Sequence, residues 1–328
     1  MRFGYFRIAL TLLIVTSIAI LFQLMGVGII GIWALMHGTG IGHQSVMSEL
    51  AATGISQILV MLLGTYFLIK IFRQHPITTL RLEGFSETPV AAYLLAIPTI
   101  FAAQFVGSMI AVLWEHLLQY FPTIYHSIKN YEDLIDEATK GAAISANTLP
   151  HALIVLLTIA IIPPLAEEVV FRGFAQTNIE RSGKYKPRPY VAIIWASLAF
   201  AAMHLQPIEL PGLLVLGLTL GWLSYRTNNL LVGSVAHAAN NGIIVLTLMM
   251  LPQSEKSDSA SSLLGNAPTS VSYALTVLAI TLPLFLMCLY FYNTVTRPLH
   301  ARYNSQTQYE EHEDDLETEY SHLETNDQ

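Results

Sequence analysis

IALTLLIVTSIAILFQLMGVGIIGIWALM, residues 8–36, runs for 29 residues without an Asp, Glu, Lys, Arg or His. About 20 helical residues at ~1.5 Å rise cross a hydrocarbon core of roughly 30 Å, so this stretch is a membrane helix by length alone. It is too long for the apolar region of a secretory signal, and no small-residue cleavage site follows it. With Arg2 and Arg7 in front, it reads as a first, uncleaved span.

Seven further apolar blocks follow, at about 49–72, 89–116, 149–180, 190–206, 210–226, 230–251 and 271–295. The expected fold is all-α, a polytopic transmembrane bundle of about eight spans. A closed strand barrel would instead show roughly ten-residue alternating segments. Composition agrees: 53 % of the chain is apolar and 12 % charged, with a mean hydropathy of +0.50. A soluble domain carries about twice that share of charge.

The distribution of basic residues tests the count. With the N-terminus inside and eight alternating spans, thirteen Lys and Arg fall on the cytoplasmic side. Only Lys129, Lys140 and Lys256 fall on the other. The expectation is therefore N-in and C-in, in an integral membrane protein.

The chain divides on this reading into three spans with an outer loop (1–148), a four-span core (149–251), a Ser-rich, flexible outer loop with the last span (252–296), and an acidic cytoplasmic tail (297–328). That tail holds nine acids and two bases, which accounts for the whole net charge of −7. Its composition predicts disorder. The outer loop between the third and fourth spans contains Tyr131-Glu-Asp-Leu-Ile-Asp-Glu137, read as a short surface helix. No basic stripe points to nucleic acid. The single cysteine, Cys288, excludes an internal disulfide.

Ionisable groups inside spans cost roughly 2.5–3.5 kcal/mol each, which marks them as functional candidates. They concentrate in Pro163-Pro-Leu-Ala-Glu167-Glu168-Val-Val-Phe-Arg172, in Phe200-Ala-Ala-Met-His204 and in His237-Ala-Ala-Asn-Asn241. Adjacent helical residues point about 100° apart, so the two glutamates cannot share one task. Glu168 has Arg172 at i+4, the acid on the N-terminal side as such pairs prefer. Glu167 has Phe171 there, and is the carboxylate left for other work. His237 and Asn241 lie one turn apart on one face. Counted from the basic loops at ~1.5 Å per residue, Glu167, His204 and His237 lie at similar depths, roughly 21, 21 and 16 Å. Pro163 and Pro164 must kink their span and free carbonyls near Ile159 and Ala160.

Other features read as structural. His37, His43, His75, His116, His126 and His151 are expected to be packing residues, and His300, His312 and His322 solvated. Gly217 and Gly221 form a close-packing pair.

At these residues the chain resembles the CAAX-protease and bacteriocin-processing (CPBP, or Abi) family of intramembrane proteases, whose pattern is EExxxR, FxxxH and HxxxN on successive helices. All three occur here in order across about 149–245. The Gly after Arg172 and Thr227-Asn-Asn-Leu-Leu231 also match. The resemblance implies hydrolysis of peptide bonds in membrane-associated peptide or protein substrates, at the bilayer, prenylated CAAX proteins in one branch. It implies that Glu167 activates water and His204 positions it. His237 and Asn241 would stabilise the oxyanion, while Glu168 and Arg172 hold the helix. If zinc takes part, Glu167, His204 and His237 are its ligand set; the absence of HExxH favours a metal-free water. A bacterial inner membrane is the location the resemblance implies. The rival readings are a proton- or cation-coupled transporter and a catalytically idle scaffold or immunity protein.

Overall fold

The computed structural model describes residues 2–38, 46–144, 148–182, 188–250 and 270–326, and they are helical with no strand among them. In chain order the helices are α1 (Arg2–His37), α2 (Val46–Ile71), the one-turn α3 (Pro76–Thr79), α4 (Val90–Leu118), α5 (Pro122–Ile144), α6 (Leu149–Glu180), α7 (Pro189–Met203), α8 (Leu210–Thr227), α9 (Leu230–Met250) and α10 (Val271–Asn326). Among the described residues, six are long and apolar enough to cross a membrane: α1, α2, α4, α6, α9 and α10. The fold is a helical membrane bundle. The fifth and sixth expected blocks are α7 and α8. At 15 and 18 residues they span about 22 and 27 Å.

Contacts between chain ends show how the helices alternate. Arg7 Nη1 donates to Arg181 O at 3.0 Å, tying the start of α1 to the end of α6. Arg81 pairs with Glu180. The Gly84 N–H bonds Asn228 O at 3.1 Å and the Leu230 N–H bonds Arg81 O at 3.0 Å. Arg226 Nη2 donates to Asn293 O, and Arg302 pairs with Glu87. One end of the bundle thus gathers the basic links. The α7–α8 turn lies elsewhere, where Trp114 Nε1 donates to Pro207 O at 3.0 Å. The two short helices form an antiparallel hairpin inserted between the longer ones.

Local chemistry explains the joints. Asn228 takes the left-handed conformation that ends α8, at φ 45°. Asn229 is fully buried; its Nδ2 donates to Thr88 Oγ1 and to the Tyr93 hydroxyl, each at 2.9 Å, and its Oδ1 accepts the Leu231 N–H. The Thr227-Asn-Asn-Leu-Leu231 match is therefore a turn that starts α9 and clamps it to the α3–α4 link. On α4 and α8, Gly107 and Gly212 meet backbone to backbone. A Cβ on Gly107 would lie 2.9 Å from Gly212 O.

The backbone of α10 is helical to Asn326. One expectation is corrected. His300, expected to be solvated, is half-buried with its ring 4.7 Å from that of Tyr225. The Ser-rich loop and His43 lie outside the described residues.

Candidate active site

α6 is not a regular helix. A wide π-type turn over Leu156–Ile161 precedes Pro163 and Pro164, and a second wide stretch runs over Val169–Gln176. Wide turns of this kind recur at functional sites because they re-aim side chains. Pro163 has no N–H to offer Ile159 O, four residues back. Asn241 on α9 supplies the missing donor: its Nδ2 bonds Ile159 O at 3.2 Å. The carbonyl expected to be freed by the kink is satisfied across the helix interface.

Glu167, Glu168, Arg172 and His237 are all buried, Glu168 and Arg172 completely. Arg172 Nη1 lies 3.1 Å from Glu168 Oε1, the i+4 pair anticipated from spacing. Arg172 Nη2 donates to Gly217 O at 3.1 Å, and one turn on Gln176 Nε2 donates to Gly221 O at 3.0 Å. The two glycines of α8 thus accept from two rungs of α6 while lacking the Cβ atoms that would hold it off. On Gly221 that Cβ would stand 2.9 Å from Gln176 Oε1.

His237 joins the two glutamates. Its Nδ1 is 3.3 Å from Glu168 Oε1 and its Nε2 is 3.9 Å from Glu167 Oε2. Glu168 Oε1 is ion-paired with Arg172 and faces His237 Nδ1 as well, whereas among the described residues Glu167 has the His237 imidazole as its ion-pair partner, beyond direct hydrogen-bond reach. Spacing alone had set Glu167 apart from Arg172 but could not show what it faces.

His204 caps the end of α7. Its Nδ1 lies 2.8 Å from Phe200 O. A carbonyl only accepts, so Nδ1 is the donor in this contact. Phe200, fully buried, is the hub that the sequence reading treated only as a neighbour of His204. Its ring centroid lies 4.7 Å from His204, 5.9 Å from His237 and 5.5 Å from Phe171, and the Arg172 guanidinium stands 4.5 Å from it. One aromatic ring therefore separates and positions both imidazoles and the cation.

A further residue went unnoticed in sequence. Asn240, one place before Asn241 and almost fully buried, points to α4, where its Nδ2 donates to Gln104 Oε1 at 3.3 Å; Gln104 donates on to Ser108. Gln104 is an amide in an otherwise apolar block, a signal present in the sequence.

The ligand set that the resemblance implies for zinc is Glu167, His204 and His237. Among the described residues no three His, Cys, Asp or Glu side chains converge closely enough to hold one ion. Each histidine has its Nδ1 against an acceptor, Phe200 O for His204 and Glu168 Oε1 for His237, which fixes the orientation of both rings.

Compared with known proteins, residues 149–243 match the family model described as Rce1-like, type II CAAX prenyl endopeptidase. The match covers α7 and α8 whole and every residue of the Glu/His/Asn set. No curated protein and no solved structure matches the chain.

Proposed function

We propose that this chain, whose segment 149–243 belongs to the Rce1-like CAAX-protease family, cleaves peptide bonds of membrane-associated substrates with a water activated by Glu167. The observation that carries this reading is the unequal surroundings of two adjacent glutamates. Glu168 Oε1 stands 3.1 Å from Arg172 Nη1 and 3.3 Å from His237 Nδ1, while the ion-pair partner of Glu167 among the described residues is the His237 Nε2 at 3.9 Å. A water held between Glu167 and His237 has an acceptor for its proton and sits beside a fixed imidazole.

Attack of that water on a substrate carbonyl places negative charge on the carbonyl oxygen. Asn241 spends one N–H on Ile159 and keeps a second for that oxygen. His204 Nε2, on a ring oriented by Phe200 O, orients water or substrate from the α7 side. The proton taken by Glu167 then passes to the leaving amine. Glu168 and Arg172 act by holding His237 in register and balancing charge in a site closed to lipid.

The test uses the purified full-length protein in liposomes with a library of membrane peptides. Glu167→Gln keeps shape and removes the base; cleavage should fall by at least about 100-fold, with expression and melting unchanged. Cleavage at the wild-type rate overturns the reading. Loss of proton or cation flux in its place would favour a transporter.

A further inference from the structure

The α7–α8 turn, residues 205–209, follows His204 directly and is unusually constrained. Leu205 has a left-handed backbone, φ 56°, which L residues with branched side chains avoid. The His204 N–H and Leu205 N–H bond back three residues to Ala201 O and Ala202 O, at 3.3 and 3.2 Å. The peptide unit joining Pro207 to Ile208 is then held at both ends. Trp114 Nε1, from α4, donates to Pro207 O at 3.0 Å. The Ile208 N–H donates to Glu132 Oε1, from α5, at 2.7 Å.

Glu132 is out of character for its helix. It belongs to the acidic string Tyr131–Glu137, whose composition reads as a surface segment, and Tyr131 and Asp133 on either side are exposed. Glu132 itself is 3 % exposed. Burying a carboxylate is costly, and it is tolerated where the group receives strong donors. Here one donor is the backbone three to four residues beyond a histidine of the candidate site. α5 lies across α2, α4 and α9, so the carboxylate ties the turn to a helix outside the 149–243 core.

We propose that Glu132 is a positioning residue for His204, acting with Trp114 through the Pro207–Ile208 peptide unit. The clamp holds the turn, the strained Leu205 transmits its position to the end of α7, and the His204 imidazole is thereby fixed against Phe200. The proposal rests on the reading of His204 as part of a hydrolytic site, and its test separates the two.

The probe is diethyl pyrocarbonate, which modifies the free nitrogen of an imidazole, applied to the full-length protein in micelles and read at His204 and His237 by mass spectrometry. Glu132→Ala and Trp114→Phe should each change the His204 rate several-fold and leave His237 unchanged. Glu132→Gln, which keeps an acceptor oxygen, should stay near wild type. On any peptide cleaved in a Glu167-dependent way, Glu132→Ala should lower kcat about tenfold with KM steady, as a small displacement of a catalytic group does. An unchanged His204 rate in both variants overturns the proposal. So does an equal change at His237, or a Glu132→Gln as altered as Glu132→Ala. If Glu132→Ala does not fold, Trp114→Phe and Glu132→Gln decide the matter. If Glu167→Gln cleaves normally, the hydrolase reading fails, while the labelling still reports on the clamp.

Discussion

Two regions of this bundle are built from the same residues and behave differently. At the basic end, Arg302 pairs with Glu87 at 2.9 Å with side chains 63 % and 40 % exposed. Inside the bundle, Arg172 pairs with Glu168 at 3.1 Å with side chains 1 % and 0 % exposed. Water screens the first pair and competes for it, so it adds little. Nothing competes for the second, and each partner requires the other. The end contacts set which helix tips meet. The inner network balances charge: Arg172 and His237 both face Glu168 Oε1, and Glu167, the carboxylate proposed to activate water, stands outside the arginine pair.

That contrast can be broken by mutation. Arg172→Ala should destabilise the protein by about 3–5 kcal/mol, because it strands a fully buried carboxylate. Adding Glu168→Gln should recover part of that loss, read by thermal melting in micelles. No recovery would mean that the arginine answers to something other than Glu168. Asn241→Ala should cost about 1–3 kcal/mol by leaving Ile159 O without its donor. Asn241→Asp cannot restore it, since a carboxylate offers no N–H. Gly233→Ala should cost about 1–3 kcal/mol as well, by crowding. Its Cβ would sit 2.8 Å from Glu168 Oε2 and 2.9 Å from Ser224 Oγ. Arg302→Ala at the exposed end should shift stability by less than about 1 kcal/mol, and added salt should erase the difference.

Much of this was legible in sequence because it is local. Apolar run length gave 149–180 for the helix that spans Leu149–Glu180, and the i+4 rule gave Glu168 with Arg172. The missing proline N–H marked Ile159 as a carbonyl in need of a donor. What escaped is tertiary. No spacing shows that His237 lies between two glutamates 69 and 70 residues earlier in the chain, or that Phe200 stands against three functional side chains. Glu132 was hidden for a different reason. Its immediate neighbours, Tyr131 and Asp133, are exposed, and only the packing of α5 against the α7–α8 turn distinguishes it.

The account turns on two adjacent carboxylates having unequal duties, so the sharpest measurement compares them side by side. Purified wild type, Glu167→Gln and Glu168→Gln would be incubated with membrane peptides in liposomes, with new N-termini counted by mass spectrometry and melting followed in parallel. Glu167→Gln should lose the new N-termini and melt like wild type, whereas Glu168→Gln should melt lower. Wild-type cleavage by Glu167→Gln would contradict the account.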